Sequence, residues 1–212
     1  MPTIKFQILY VFLVLAHDRR RILHFAVTAH PTAEWTAQQL REAFPWDSAP
    51  RYLLRDRDRI FGHEFVEQVK AMGIKQVVST RRSPWQRAYV ERLIGTLRRE
   101  CLDHVIVFDE GSLRYHLQKF CDYYHRSRTH LSLQKDTPEC RHVQVPEAGR
   151  IISIPEVGGL HHRYESRRLT AESKPEGRDV PKQANCLKLV TAHRDCDDRR
   201  HSRLMSPAIT CN

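Results

Sequence analysis

Asp56 and Glu91, with 34 residues between them, are the residues of this chain whose type and spacing suggest chemistry. Asp56 follows the apolar run Tyr52-Leu53-Leu54, which reads as a short strand, and Glu91 lies on an amphipathic helix. A carboxylate at a strand end and another on a later helix can converge on one divalent cation, which favours hard oxygen ligands. Asp58, two residues on, is the rival for the place given to Asp56. Arg55, Arg57 and Arg59 surround both acids, so a salt-bridged turn is the competing reading. Glu91 has its own plain alternative, a solvated helix edge flanked by arginines.

The helix that carries Glu91 opens at Ser83-Pro84, a turn-and-start signal. Val90, Leu93, Ile94, Leu97 and Cys101 recur at one-face spacing and form its buried stripe. At about 100° per residue Glu91 falls on the border of that stripe, with Arg87 and Arg98 on its own side. Gly95, one turn on, leaves space beside it.

The remaining elements form a scaffold for these two. Ile8 to Ala16 is a continuous apolar run, too short to cross a bilayer as a helix. It reads as a buried strand, turning at His17-Asp18-Arg19-Arg20-Arg21 into a second strand, Ile22 to Val27. Thr32-Ala33-Glu34 starts a helix that Pro45 stops. Glu64 to Met72 reads as a helix closed by Gly73, and Ile74 to Val78 as a strand. The basic loop Ser79-Thr80-Arg81-Arg82-Ser83 follows. Leu113 to Tyr124 is a further amphipathic helix, Ile151 to Ile154 a small strand and Val157 to Leu160 a turn. Strands interleaved with helices give an α/β layered domain.

Ser83-Pro84-Trp85-Gln86 with Tyr89-Val90-Glu91-Arg92 resembles the third-carboxylate motif of the integrase catalytic core of insertion-sequence transposases and retroviral integrases. Leu53-Leu54-Arg55-Asp56-Arg57-Asp58 resembles that family's second-Asp strand. Tyr124-His125-Arg126-Ser127-Arg128-Thr129-His130, followed by Thr137-Pro138, resembles its downstream signature. The resemblance implies a ribonuclease-H-like mixed sheet flanked by helices, an Asp, Asp, Glu triad and phosphodiester cleavage and strand transfer with Mg²⁺ (or Mn²⁺). It makes Asp56 and Glu91 the catalytic and metal-holding residues. It also implies DNA as partner, both element ends and target, a homo-oligomer, and a prokaryotic cytoplasm in which the chain sits on the nucleoid.

Two departures bear on activity. The family's first Asp belongs in the strand before the hairpin, yet no Asp or Glu precedes Asp18, itself in the hairpin turn. The first strand is therefore expected to be missing or incomplete. Arg87 stands where the family commonly has Asn, adding a positive charge that competes with a metal for Glu91. The competing functional readings are a non-catalytic DNA-binding transposase remnant and, less favoured by the downstream signature, an RNA–DNA hybrid nuclease.

The chain has 212 residues, with 35 Lys and Arg against 25 Asp and Glu, a net charge of +10. That excess points to a polyanion, nucleic acid first. Arg81, Arg82, Trp85, Gln86, Arg98, Arg99, Arg128 and His130 are the expected DNA contacts. The six cysteines form no Cys-x-x-Cys pair, so neither a zinc knuckle nor a dithiol redox site is indicated, and reduced thiols are expected. Residues 1–145 are assigned to the core, 146–165 to a short extension and 166–212 to a basic tail without periodicity, read as disordered. On this reading the tail is dispensable, and its removal lowers the salt dependence of DNA binding only slightly.

Overall fold

The apolar run near the amino terminus is a strand because both of its faces are covered. The computed structural model describes residues 1–45, 48–142, 144, 149–167 and 190–193. Strand β1 (Tyr10–Ala16) pairs antiparallel with β2 (Ile22–Thr28), from Tyr10 opposite Thr28 to Val14 opposite His24. A bulge follows between Val14 and Leu15. Helix α1 (Ala33–Ala43) is capped by the Thr32 hydroxyl, which accepts from the Trp35 N–H at 3.2 Å. Then come β3 (Tyr52–Arg55), α2 (His63–Ala71) and β4 (Lys75–Val78). Gly73, at φ +69°, makes the left-handed turn that redirects the chain from α2 into β4.

Helix α3 (Ala88–Glu100) starts later than its Ser-Pro signal suggests. Residues Pro84–Arg87 form a separate 3₁₀ turn, and the α-helix begins only after it. Helix α4 (Glu110–Arg126) is capped by Asp109, whose carboxylate accepts from the Ser112 N–H at 2.7 Å. It runs about a turn longer at its start than apolar spacing predicts, because the cap and first turn are polar.

Alternation along β1 divides the core into two layers. Val11, Leu13 and Leu15 join Val90, Leu93 and Leu97 of α3 and Leu113, Leu117 and Phe120 of α4. Phe12 and Val14 join Leu40 of α1, Leu53 of β3 and Phe65 and Val69 of α2. The sheet is thus covered by α3 and α4 on one face and by α1 and α2 on the other. Each large side chain buried here contributes about 1.5–3 kcal/mol. Burial pushes the thiols of Cys101 and Cys121 up to about 12, so both are inert packing groups.

The sheet order corrects one sequence expectation. A further strand, β7 (Val190–His193), lies between β1 and β3, giving the order β2-β1-β7-β3-β4. It runs parallel to β1, with Val14 opposite Val190, and antiparallel to β3, with Leu53 opposite Ala192. The carboxy-terminal region therefore supplies a central strand, although Val-Thr-Ala-His has no periodicity to announce it. The rest of the expected tail beyond Arg167 lies outside the described residues.

Strands β5 (Arg150–Glu156) and β6 (His161–Arg167) form a separate two-stranded hairpin. It docks on α4, where His161 stacks on Tyr123 at 4.2 Å between ring centres and Ser127 donates to Glu156 at 2.9 Å. Among the described helices none is long and apolar enough to cross a membrane.

Candidate active site

Parallel pairing of β3 with β4 brings their carboxyl ends out at the same edge of the sheet. Arg55 lies opposite Val78, and the Ser79 N–H donates to the Arg55 carbonyl at 2.9 Å. Asp56 is therefore delivered beside the start of the basic loop 79–83. The end of a parallel pair is also where α/β sheets characteristically hold ligands.

Asp56 is fixed by two bonds. Its Oδ1 accepts from the Asp58 N–H at 3.0 Å, and its Oδ2 accepts from Arg87 Nη1 at 3.3 Å. The other end of the same guanidinium, Nη2, lies 3.3 Å from Glu91 Oε1, one helical turn on. The structure thus brings Asp56 and Glu91 together, separated by the width of one guanidinium and its two contacts. Asp58 has a different task. Its Oδ1 accepts from the Ile60 N–H at 3.2 Å, an Asx-type turn that sets the loop after β3.

A cleft of about 410 Å³ opens here, lined by Asp56, Asp58, Arg57, Arg81, Arg82 and Arg87 together with Ser79, Thr80 and Ser83. Four guanidinium groups face two carboxylates. Glu91 does not line the cleft and holds Arg87 from the other side. Arg57 Nε donates to the Ser79 carbonyl at 3.1 Å, tying the loop to the strand end. Arg81 and Arg82 make no side-chain bond among the described residues, and Arg82 sits at φ +62°, a left-handed conformation that non-glycine residues seldom adopt. Arg55 turns away from the cleft and lies over Phe61 and Phe65, and its burial draws its pKa down.

The start of α3 is anchored from two directions. Gln86 accepts from the Thr80 N–H at 2.8 Å, joining the 3₁₀ turn to the basic loop. Tyr89 meets the β1–β2 turn, with His17 at 5.4 Å between ring centres and the Arg20 guanidinium 4.6 Å above its ring. That turn is in turn pinned by Arg19, which donates to Asp136 at 2.6 Å and to the Pro138 carbonyl at 3.0 Å. These ties are invisible in the sequence, where Arg19, Arg20 and Tyr89 share no motif.

The expected DNA contacts divide. Arg81 and Arg82 line the cleft, Trp85 is 71% exposed beside it, and Arg98 and Arg99 are exposed on α3. Gln86 is committed to Thr80. Arg128 and His130 point inward, contrary to the sequence expectation. Arg128 makes a two-pronged pair with Glu100, at 2.7 and 2.6 Å. His130 is buried against Tyr124, and burial together with Arg128 and Arg20 lowers its pKa to about 4. Gly95 is also reassigned. A Cβ there would meet Arg99 Nη1 at 3.0 Å, so the space serves Arg99 rather than Glu91.

A divalent cation does not fit these residues. Between the two carboxylates stands the Arg87 guanidinium, and no group of three or more His, Cys, Asp or Glu residues gathers among the described residues. Each unit of positive charge about 4 Å from that guanidinium would be repelled by ~4 kcal/mol at an effective dielectric near 20, which offsets the attraction of one of the two carboxylates.

Residues 72–138 match the family model of the integrase core domain. That stretch of the chain is similar to an integrase core domain. The matched stretch takes in Arg87, Glu91, α3, α4 and Thr137-Pro138 and stops short of Asp56. The integrase core implies DNA as substrate and, in general terms, integration or transposition as the activity. No curated protein matches the chain.

Proposed function

We propose that this chain engages duplex DNA as a ribonuclease-H-like transposase core, built from residues 1–145 and completed by β7, and that in this form it performs no strand transfer. The observation that carries the reading is the meeting of Asp56 and Glu91 on Arg87 beside an arginine-lined cleft. Cleavage and joining of DNA by this family rests on clustered carboxylates that hold two cations, one for the attacking oxygen and one for the leaving oxygen. Here two carboxylates share one guanidinium, which offsets half of their charge and occupies the space between them. What the site offers DNA is attraction for phosphate through Arg57, Arg81, Arg82 and Arg87, with Arg98 and Arg99 further along α3.

The β7 strand supports the same reading. It fills the slot between β1 and β3 and runs parallel to β1, and Val190 is the residue it sets opposite Arg55, next to Asp56. No carboxylate is contributed there by the described strand.

The test is a pair of assays on the full chain. Duplex binding is expected to depend weakly on sequence and to fall steeply with salt as counterions return to phosphate. Strand transfer with Mg²⁺ or Mn²⁺ is expected to be undetectable. Robust strand transfer, or DNA binding indifferent to salt, would overturn the proposal.

A further inference from the structure

We infer that Arg87 takes the place of a metal ion, so that the cleft binds a DNA phosphate without any divalent cation. The inference rests on the DNA-engaging reading above and adds how the phosphate is held.

Arg87 has the attributes of a fixed cation rather than of a stray surface charge. Its two terminal nitrogens are each 3.3 Å from a carboxylate carried by a different element, Asp56 after β3 and Glu91 on α3. Carboxylates ordinarily gathered by a cation are here gathered by a guanidinium. Its Nε is buried and has no hydrogen-bond partner among the described residues, so one donor remains to be satisfied. Buried polar groups left without a partner are rare and call for an acceptor. Arg87 also lines the cleft, where the second N–H of each terminal nitrogen can donate to a phosphate oxygen, and guanidinium groups match phosphate geometry well.

The surroundings favour the same ligand. Arg81 and Arg82 reach the cleft with no acceptor among the described residues, and Arg57 holds the loop that presents them. The two lining aspartates leave the wall with an excess of positive charge, which attracts phosphate and repels a second cation. Arg87 is held from below by Asp56 and Glu91, so it meets a phosphate already oriented.

The experiment measures binding of a fluorescein-labelled DNA duplex by anisotropy, in EDTA and in Mg²⁺, for the wild-type chain, Arg87→Asn and Arg87→Lys. The wild type is expected to bind at least as well in EDTA as in Mg²⁺, which competes for DNA phosphate as a counterion. Arg87→Asn is expected to lose about tenfold in EDTA, with a salt slope smaller by about one. It is also expected to gain Mn²⁺ binding, read by electron paramagnetic resonance, because the carboxylates are released. Arg87→Lys keeps the charge without the fork and should fall between the two. Melting curves matching the wild type will show that both variants fold.

Wild-type binding that requires Mg²⁺, or Arg87→Asn binding as wild type in EDTA, overturns the inference and leaves DNA engagement standing. Absence of wild-type DNA binding in both conditions removes the DNA reading itself. Inorganic phosphate then tests the cleft alone through the Arg87 Nε–H resonance. A shift on titration supports the anion site, and an unmoved resonance eliminates it.

Discussion

Helix α3 carries a glutamate–arginine pair at each end, and the two pairs are built for opposite purposes. At its start Glu91 meets Arg87 through one contact of 3.3 Å, with the glutamate side chain 45% exposed. At its end Glu100 meets Arg128 through two bonds of 2.7 and 2.6 Å, with both side chains largely covered. The second pair ties α3 to the segment after α4, and the Glu100 carbonyl also bonds His161 of the hairpin. Its geometry leaves neither partner free for anything else. The first pair is loose, faces a cleft and leaves a donor unused. Identical chemistry on one helix is therefore structural where it is two-pronged and enclosed, and available where it is single and wet.

Truncation after Arg167 should have the largest effect and should strike the two ends unequally. It removes β7 and strips hydrogen-bond partners from β1 and β3 inside the sheet. Each buried backbone group left unpaired costs about 1–3 kcal/mol, and several together rival the whole stability of a domain. Cooperative thermal unfolding, followed by circular dichroism, is expected to be lost. If the shortened chain melted like the full one, Asp56 would not depend on β7 for its position. This reverses the dispensable tail suggested by composition.

Next in size is the enclosed pair. Arg128→Met strands Glu100 partly buried and should lower stability by ~2 kcal/mol, or Tm by about 4–8 °C. Arg87→Asn should change stability by less than about 0.5 kcal/mol, in keeping with an exposed pair. Equal losses for the two substitutions, in parallel urea titrations, would break the contrast between the ends.

Acid should weaken the molecule through the enclosed end. Burial lowers the pKa of His116, His125 and His130, the last to about 4. His125 Nε2 accepts from the Ile22 N–H at 3.0 Å, which only the neutral ring can do. These groups are uncharged in the fold, while the unfolded chain takes up protons near pH 6.5. Their stabilisation is complete above about pH 6.5 and declines as pH falls toward 4. Urea midpoints measured across that window should drop, and His130→Phe should flatten the lower part of the fall. Smallest of all, Gly95→Ala should be neutral or stabilising by up to ~1 kcal/mol, since only the flexible Arg99 tip must yield.

Most of the scaffold was legible because its signals are local. The β1–β2 hairpin follows from an apolar run and a charged turn, and α1 from Thr32 and Pro45. The stripe Val90, Leu93, Leu97 and Cys101 is buried as its spacing predicts, with Ile94 partly so. The strand β7 was not legible, because four residues without alternation become a strand only when a slot between two others receives them. Arg128 and His130 share their motif with surface residues, and nothing in spacing tells which way a side chain faces after a helix ends. The convergence of Asp56 and Glu91 was suggested by their separation, and Arg87 by its place beside Glu91. That one guanidinium would reach both required the tertiary fold.

The central position of β7 also governs how the molecule can assemble. β1 emerges first from the ribosome, yet one of its two neighbours in the sheet comes after residue 189. Until then the hairpin and the β3–β4 pair are two separate pieces with raw edges facing a gap. Closing so long a loop is slow, and exposed edges invite association with other chains meanwhile. The last of the described strands is thus the keystone, and folding of this sheet is expected to be a post-translational event that benefits from chaperone protection.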